Sequence, residues 1–428
     1  MTNEKTYGIP LKSFHNPKYG RLKEPFLMTL KLSIPQLPEG SKAVEFAEHV
    51  YDRKSCATTP NVILTGRSII VESKDNGATW KLIRIPEVED RRLYNCFTTD
   101  DGNHIVQGLP EQNINAKKTN HDSAVLFLFD KDWRLISVDD ESTTTYWHGR
   151  ASIDQSGATI MFAEYHNNSY KYTSAYKEEY EKWKNLVKPS RVFRSRDGGR
   201  TWNVVFELPP EAIRHFHTLQ ADPFLPKTWW LSSGDTAIES RVWRSSDDGD
   251  SWVDVTLADG TQLANGAYAQ SGFRYTDLLI NQDSLIWGTD DIMGSSNNID
   301  FEMPQVKRTG SRIYRAKKSN PLQLEELGYI GHPVRSIVDV GPAYLFLTEA
   351  NIGYYRLTPQ VVALFKDSMD KPLEVARIDH FNNGKTGFTY SRASKAAYNG
   401  RFFSFRNRYD VFNDIYPRVL QWDVRFSD

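Results

Sequence analysis

Short apolar runs separated by polar turns recur along most of this chain. Residues 61–65, 68–73 and 401–406 are examples, and they are rich in Val, Ile and Phe. Runs of this kind favour β-strands, because β-branched and aromatic side chains pack well on a pleated surface. They repeat in groups from about residue 61 to the C-terminus. The pattern therefore predicts an all-β protein built from repeated antiparallel units.

One polar pattern stands three times between these runs, and each copy reads Ser-x-Asp-x-Gly-x-Thr/Ser-Trp. The copies span residues 73–80, 195–202 and 245–252, and we call them the repeat turns. Asp and Ser can hydrogen-bond the backbone of their own loop, and Gly can adopt the positive φ of a tight hairpin. Trp is large enough to fix the loop on a sheet. Three equivalent turns predict one structural unit that is repeated along the chain.

The repeat turns resemble the Asp-box, or bacterial neuraminidase repeat, of sialidase-like β-propellers. The resemblance implies a single β-propeller in which each motif forms the hairpin between the third and fourth strands of a blade. That hairpin lies away from the functional face of those propellers. The same repeat occurs in xyloglucanases, propeller-type polysaccharide lyases, photosystem assembly factors and sorting receptors. The resemblance therefore implies a fold more specifically than it implies an activity.

Sialidases of this superfamily bind the substrate carboxylate with three arginines and carry an Arg-Ile-Pro motif early in the chain. Here Arg84-Ile85-Pro86 follows the first repeat turn, which is the wrong place, and we interpret it as coincidence. The candidates for the three arginines are Arg274, Arg335 and either Arg392 or Arg406.

The distribution of the runs divides the chain into a leader and a propeller. Residues 1–60 are expected to form an irregular leader with one early strand at about 26–34. That strand can complete the last blade and close the ring, which removes an exposed sheet edge. Residues 61–428 are expected to form the propeller. We predict seven blades, with six as the alternative count.

Two stretches have helical rather than strand spacing. Residues 176–186, in an insertion near 170–190 within blade three, place Tyr and Trp at helical intervals with charges between them. This insertion is either a lid over a site or an oligomer contact. Residues 361–369 are a second candidate for a short helix.

The bulk composition excludes several functional classes. The 428 residues include 53 basic and 54 acidic side chains, so no charge excess calls for nucleic acid or an anionic membrane as partner. The sequence contains no run of 18 apolar residues, so it predicts no membrane span. Residues 1–5 lack an apolar signal core, which predicts a cytoplasmic protein or a secreted one whose signal has been removed. Cys56 and Cys96 are too few for a disulfide scaffold, and we expect two buried thiols, although a pair stays possible.

Propeller geometry predicts where a site would lie. The first strand of each blade lines the central channel and the second runs antiparallel to it. The start of the first strand and the end of the second therefore emerge on one face, and polar residues occupy both places in blades three to six. At the starts of first strands the candidates are His148, Arg150, His215, His217, Arg274 and Arg335. At the ends of second strands they are Glu164, Tyr165, Asp235, Glu239, Asp290 and Glu349.

These residue types suit recognition of a polar, anionic oligo- or polysaccharide. Arginine binds carboxylates bidentately, and aromatic rings stack on sugar faces. The leading interpretation is a sialidase-like glycoside hydrolase, which needs two carboxyl groups within about 5–10 Å of each other. Its catalytic candidates are Asp235, Glu239, Glu164, His215 and His217.

Two alternatives stay open beside the hydrolase. A polysaccharide lyase acting on a uronic-acid polymer would use a His or Tyr base and an Arg that neutralises the carboxylate. A non-catalytic propeller would bind a glycan or a protein. Asp235 and Asp290 could instead cap turns, and either histidine could be a structural hydrogen-bonding group. No cofactor or metal is predicted, because His215 and His217 have no third ligand at a fixed spacing. The sequence does not predict the oligomeric state.

Overall fold

The computed structural model of the protein consists of β-sheets joined by turns. The residues that it describes are 7–8, 28–33, 35–39, 50–52, 61–65, 68–89, 91–110, 124–140, 146–147, 149–165, 188–210, 212–234, 239–256, 272–290, 311–330, 333–348, 360–368, 372–377, 389–393, 395–407 and 419–426. These residues form seven antiparallel sheets, which we number in chain order. The fold is a β-propeller, and the expected all-β class is confirmed.

In sheets one to three, consecutive strands pair in chain order. Sheet one contains Val50–Asp52, Val62–Thr65, Ile69–Ser73 and Lys81–Arg84. Sheet two contains Arg91–Thr98, His104–Pro110, Val125–Phe129 and Leu135–Asp139. Sheet three contains Ile153–Ser156, Thr159–Tyr165, Ser190–Ser195 and Asn203–Leu208, with the short strand Tyr146–Trp147 paired to the end of Thr159–Tyr165. Short 3-10 helices at Pro86–Val88 and Gly149–Ser152 precede sheets two and three.

Sheets four to six repeat the same four-stranded meander. Sheet four contains His215–Ala221, Trp229–Gly234, Val242–Ser245 and Val253–Asp254. Sheet five contains Leu279–Ile280, Ser284–Gly288, Arg312–Lys317 and Asn320–Tyr329. Sheet six contains Val334–Asp339, Ala343–Thr348, Gln360–Phe365 and Leu373–Arg377, with a 3-10 helix at Lys366–Ser368.

Sheet seven combines both ends of the chain. Its first three strands are Thr389–Ala393, Arg401–Asn407 and Val419–Phe426. The fourth is the early strand Met28–Ser33, which pairs with Val419–Phe426 so that Met28 lies opposite Phe426. Tyr7–Gly8 adds a fifth, outer strand. Pairing of the two chain ends within one sheet leaves the last blade complete.

Seven apolar clusters close the ring. Each cluster packs between two consecutive sheets, and one packs Val62, Leu64 and Val71 of sheet one against Phe403 and Val419 of sheet seven. Since every sheet buries both faces against neighbours, its inner strands are apolar on both sides rather than alternating. The core is therefore a ring of inter-sheet layers around the channel.

The repeat turns join the third and fourth strands of sheets one, three and four. In the first turn, Asp75 Oδ1 accepts hydrogen bonds from Thr79 N and Ser73 Oγ, both at 2.8 Å. Ser73 Oγ in turn accepts one from Gly77 N at 2.7 Å. The other two turns make the same three bonds, at 2.8 to 3.0 Å. The motif thus satisfies its own backbone, as its residue types predict.

The glycine of each repeat turn also contacts the neighbouring blade. Gly77, Gly199 and Gly249 have φ values of +79°, +92° and +85°, a region that favours glycine. A Cβ at each position would clash with a side chain of the preceding sheet in the ring. The three neighbours are Phe403, Ile105 and Met161. The turns therefore hold adjacent sheets together as well as closing hairpins.

One predicted helix is wrong. Residues 361–369 were expected to be helical, but Gln360–Phe365 is the third strand of sheet six and only Lys366–Ser368 forms a 3-10 turn. Val361 to Leu364 are all buried, because this strand packs between two neighbouring sheets. Strands buried on both faces give continuous apolar runs that periodicity cannot separate from buried helices. The predicted helix at 176–186 lies outside the described residues.

Candidate functional site

The start of the first strand is irregular in several sheets. In sheet four the pairing shifts between Phe216 and Thr218, so His217 is an extra residue in the ladder. In sheet six it shifts between Val334 and Ser336, so Arg335 is the extra residue. A β-bulge bends the strand locally and changes the direction of a side chain. The two bulges therefore redirect a histidine and an arginine at the same end of their sheets.

A stacked group of three side chains lies between sheets three, four and five. His215 Nε2 is 3.1 Å from His217 Nε2, and His217 Nδ1 is 3.0 Å from the backbone oxygen of Tyr275. The Tyr165 ring stacks on His215 with centroids 4.1 Å apart. Both histidines are 2% exposed, whereas Tyr165 is partly exposed. The histidine pair is therefore a buried, hydrogen-bonded unit with an aromatic ring against it.

Two arginines share one buried carboxylate beside this group. Arg335 Nη1 lies 2.7 Å from Asp290 Oδ2, and Arg274 Nη2 lies 3.7 Å from the same oxygen. The backbone N–H of Asp290 donates to the carbonyl oxygen of Arg274 at 2.8 Å. Two guanidinium groups therefore converge on one buried carboxylate. Guanidinium groups also bind the carboxylates of ligands.

Gly234 connects the two groups. It ends the second strand of sheet four, where a Cβ would lie 2.9 Å from His217 Cε1 and 3.3 Å from Arg274 Cγ. His217 and Arg274 therefore pack against the same point of the backbone, where a side chain would crowd both. Together the two groups form a continuous row across sheets three to six, which we call the mouth array. Its members are Tyr165, His215, His217, Arg274, Asp290 and Arg335.

Glu164 does not belong to the mouth array. Its carboxylate is fully buried and bonded by Arg191, with Nε–Oε2 at 2.8 Å and Nη2–Oε1 at 2.9 Å. Successive residues of a strand point to opposite faces, so Tyr165 faces sheet four while Glu164 lies on the face of Phe162, toward sheet two. Arg191 was missed in the sequence because only the register of Ala163 with Val192 brings it opposite Glu164.

The structure describes the other predicted site residues to different extents. Glu239 is described and 3% exposed, and its backbone oxygen accepts a hydrogen bond from Ser233 Oγ at the end of the second strand of sheet four. Of Arg150, only the backbone in the 3-10 helix is described. His148, Asp235 and Glu349 lie outside the described residues. Among the residues that the structure describes, no three His, Cys, Asp or Glu side chains are arranged to hold a metal ion.

Comparison with known proteins identifies the fold alone. No protein-family profile matches the chain, and no curated protein matches its sequence. An ancestral GH74 enzyme matches with a TM-score of 0.51 and 14% identity over 87% of this chain and 45% of its own. A chain of a mitotic checkpoint complex matches with a TM-score of 0.50 and 7% identity, over 90% of this chain and 96% of its own.

A prolyl endopeptidase matches with a TM-score of 0.47 and 10% identity over 90% of this chain and 51% of its own. The chain thus spans about half the length of that enzyme and of the GH74 enzyme. The GH74 enzyme and the checkpoint-complex chain are β-propellers of unrelated proteins, which agrees with the seven sheets and does not select an activity. In the described part of the chain, no helix has the length and apolar character that crossing a bilayer requires.

Proposed function

We propose that this propeller binds an acidic glycan at the mouth of its channel and cleaves it by β-elimination, as a polysaccharide lyase. The observation that carries the proposal is the mouth array itself. It places a buried histidine pair and a tyrosine beside two arginines that share one carboxylate. A lyase needs these two functions side by side, namely a proton-transfer group and a carboxylate-neutralising group.

Arg274 is the group that we assign to the substrate carboxylate. Arg335 makes the direct 2.7 Å bond to Asp290, whereas the 3.7 Å separation of Arg274 from the same oxygen exceeds a hydrogen bond. Asp290 orients the two guanidinium groups. Arg274 would bind a uronate carboxylate through its guanidinium group. Neutralising that carboxylate makes the hydrogen on the adjacent sugar carbon more acidic, which is the condition for elimination.

The histidine pair and Tyr165 would then carry out the proton transfers. His215 removes the hydrogen from the carbon next to the carboxylate, and the electron pair left there forms a carbon–carbon double bond. The glycosidic carbon–oxygen bond on the neighbouring carbon breaks, and its oxygen takes a proton from the Tyr165 hydroxyl. The products are an unsaturated uronate and a free hydroxyl end, so neither water nor a redox partner is consumed. General acid–base groups of this kind contribute about 10²–10⁴-fold each.

A sialidase-like hydrolase is the second candidate. The shared internal hydrogen bonds of the three repeat turns support kinship with Asp-box propellers, and two candidates for the arginine triad, Arg274 and Arg335, meet at Asp290. The described residues offer fewer candidates for the acid/base pair. Glu164 is bonded by Arg191, and Asp290 is bonded by Arg335. The acid would have to be Glu239, Asp235 or Glu349.

Digestion of a panel of uronic-acid polymers by the full-length chain tests the proposal. We expect chain cleavage accompanied by the new ultraviolet absorbance of an unsaturated uronate. His215→Gln should abolish it, whereas Arg315→Ala, which removes a partly exposed guanidinium of sheet five paired with Glu325, should not. New reducing ends without that absorbance, lost in Asp235→Asn, would favour the hydrolase. Binding without any cleavage would overturn both and favour a non-catalytic glycan-binding propeller.

A further inference from the structure

The two oxygens of the Asp290 carboxylate differ in what they contact. Oδ2 accepts a hydrogen bond from Arg335 Nη1 at 2.7 Å and lies 3.7 Å from Arg274 Nη2. Oδ1 is buried, and among the residues that the structure describes no group donates a hydrogen bond to it. Buried acceptors in folded proteins are rarely left without a donor, and a carboxylate oxygen can accept about two hydrogen bonds. Oδ1 therefore lacks the donor that its burial calls for.

Backbone hydrogen bonds hold the end of the strand on which Asp290 lies. The N–H of Asp290 donates to the carbonyl oxygen of Arg274 at 2.8 Å, and the carbonyl oxygen of Thr289 accepts from Val334 N at 3.0 Å. Thr289 N donates to the carbonyl oxygen of Arg312 at 2.9 Å. These bonds attach the end of the second strand of sheet five to its own third strand and to sheet six. Because the backbone and Oδ2 are both held, Oδ1 keeps its direction.

We infer that Asp290 is a specificity residue, whose Oδ1 accepts a hydrogen bond from a ring hydroxyl of the same uronate whose carboxylate Arg274 binds. This role rests on the proposed function, which assigns the carboxylate to Arg274. A uronate carries both groups on one sugar ring, a carboxylate for the guanidinium and hydroxyl donors for Oδ1. At 3.7 Å Arg274 makes no hydrogen bond to Asp290, so its guanidinium can turn onto the ligand and open the way to Oδ1 without breaking one.

A hydroxyl donor at Oδ1 narrows the class of substrate. A methyl ether at that position has no hydrogen to donate, and a sulfate ester would place a second negative charge against the carboxylate. A site that hydrogen-bonds a substrate hydroxyl discriminates against an analogue without it, because a buried polar group is then left unpaired. We therefore expect uronic-acid polymers with free ring hydroxyls to be preferred over methylated or sulfated ones.

Calorimetric titration with disaccharides of galacturonate, glucuronate and mannuronate measures this preference. The full-length Tyr165→Phe protein is used, because it lacks the hydroxyl assigned to protonate the leaving oxygen and the probes should then stay intact. Each disaccharide is compared with analogues in which one ring hydroxyl at a time is removed or methylated. For the sugar that binds, we expect the loss or methylation of one particular hydroxyl to weaken binding about 10- to 10²-fold, the range for a hydrogen bond to a charged group.

Asp290→Asn, made in the same protein, separates hydrogen bonding from a merely structural role. The Asn side-chain oxygen can still accept from Arg335, while its NH₂ group takes the place of Oδ1 and donates to an ether oxygen. The ratio of the affinities for the free and methylated probes should therefore fall toward one. Loss of arginine orientation alone would weaken all probes and leave that ratio unchanged. Asp423→Asn, at another arginine-paired carboxylate in sheet seven, is the matched control and should keep the original ratio.

Equal affinities for the parent, deoxygenated and methylated probes would overturn the inference, and so would an unchanged ratio in Asp290→Asn. Thermal unfolding identifies a variant that fails to fold. In that case a crystal structure of the complex decides, since a water molecule at Oδ1 in place of a sugar hydroxyl would contradict the assignment.

Failure of the proposed function gives a different result. Binding of a probe with discrimination, but no cleavage of any polymer by the wild type, would refute the lyase and leave the role of Asp290 intact. Binding without discrimination would refute the role of Asp290 alone. No binding of any probe would refute both.

Discussion

Lys395 donates a hydrogen bond from its Nζ to Oε1 of Gln220 at 2.8 Å, across the central channel. Lys395 follows the first strand of sheet seven, and Gln220 lies on the first strand of sheet four, three places away in a ring of seven. Asp154 Oδ2, in sheet three, is 4.0 Å from the same ammonium. Gln220 is three residues beyond His217, roughly 10 Å along the strand. This contact therefore lies below the mouth array, on the channel floor.

Removing the charge of Lys395 should destabilise the folded propeller. Lys395→Met keeps most of the side-chain stem but leaves Gln220 and Asp154, both buried, without the ammonium. Buried polar groups that lose a charged partner cost about 1–3 kcal/mol. We expect a loss of that size in the free energy of unfolding, measured by denaturant titration. The control is Lys131→Met, at an exposed turn, whose free energy of unfolding should stay close to that of the wild type. Equal stability of the two variants would contradict a stabilising role for the Lys395 contacts.

The tryptophan of the second repeat turn should matter for stability and not for binding. Trp202 is 7% exposed and packs edge-on against Phe162, with ring centroids 4.9 Å apart. Trp202→Ala should lower the free energy of unfolding by about 3–5 kcal/mol, the usual cost of losing a buried aromatic residue. Trp202→Phe should lose only part of this stability. If glycan affinity fell while the melting temperature stayed constant, the structural role would be refuted.

Arg274 should dominate affinity for an acidic glycan. Arg335 bonds Asp290 directly at 2.7 Å, and Arg274 is the guanidinium that we assign to the ligand carboxylate. Arg274→Ala should weaken binding by about 2–5 kcal/mol, because a desolvated charge then loses its partner. Isothermal titration calorimetry with an acidic oligosaccharide measures this, and a neutral oligosaccharide should show no such loss. Arg315→Ala is the matched control, and equal affinities of the two variants would place the carboxylate elsewhere.

His104 makes stability depend on pH. Burial, followed by the charge of Lys74, lowers the pKa of His104 from its ordinary 6.5 to about 4. The ring stacks on Trp133 with centroids 4.0 Å apart, and its Nδ1 is 3.0 Å from Thr98 Oγ1. As the pH falls, this histidine is protonated in the unfolded chain near pH 6.5, before it is protonated in the folded protein. Its contribution to the free energy of unfolding should therefore be complete above pH 6.5 and should be lost as the pH decreases toward about 4.

Denaturant unfolding at a series of pH values between about 7 and about 4 checks this dependence. His104→Gln removes the titrating group, so its stability should fall less steeply over that range. A variant whose stability follows the same slope as wild type would show that another group is responsible.

Several features of the fold are encoded within a few residues. The repeat turns form the bonds that their Ser, Asp and Gly predict, since donor and acceptor lie within four positions of each other. The all-β class was likewise predictable, because short β-branched runs between turns have few other stable arrangements. The strand Gln360–Phe365 marks the limit of this reasoning. Its apolar run fits a buried helix equally well. It forms a strand because it packs between two neighbouring sheets.

The sequence by itself determined the repeating β-unit, its turns and the end of the sheets at which polar residues gather. Propeller connectivity alone places the starts of first strands and the ends of second strands together. Tertiary structure decided the partners: Arg191 opposite Glu164, the Tyr275 carbonyl at His217, and Lys395 across the channel. Turns and strand propensity depend on neighbours along the chain. Register, bulges and cross-channel contacts join residues far apart in the chain, such as Met28 with Phe426 and Gln220 with Lys395, and depend on how all the sheets pack.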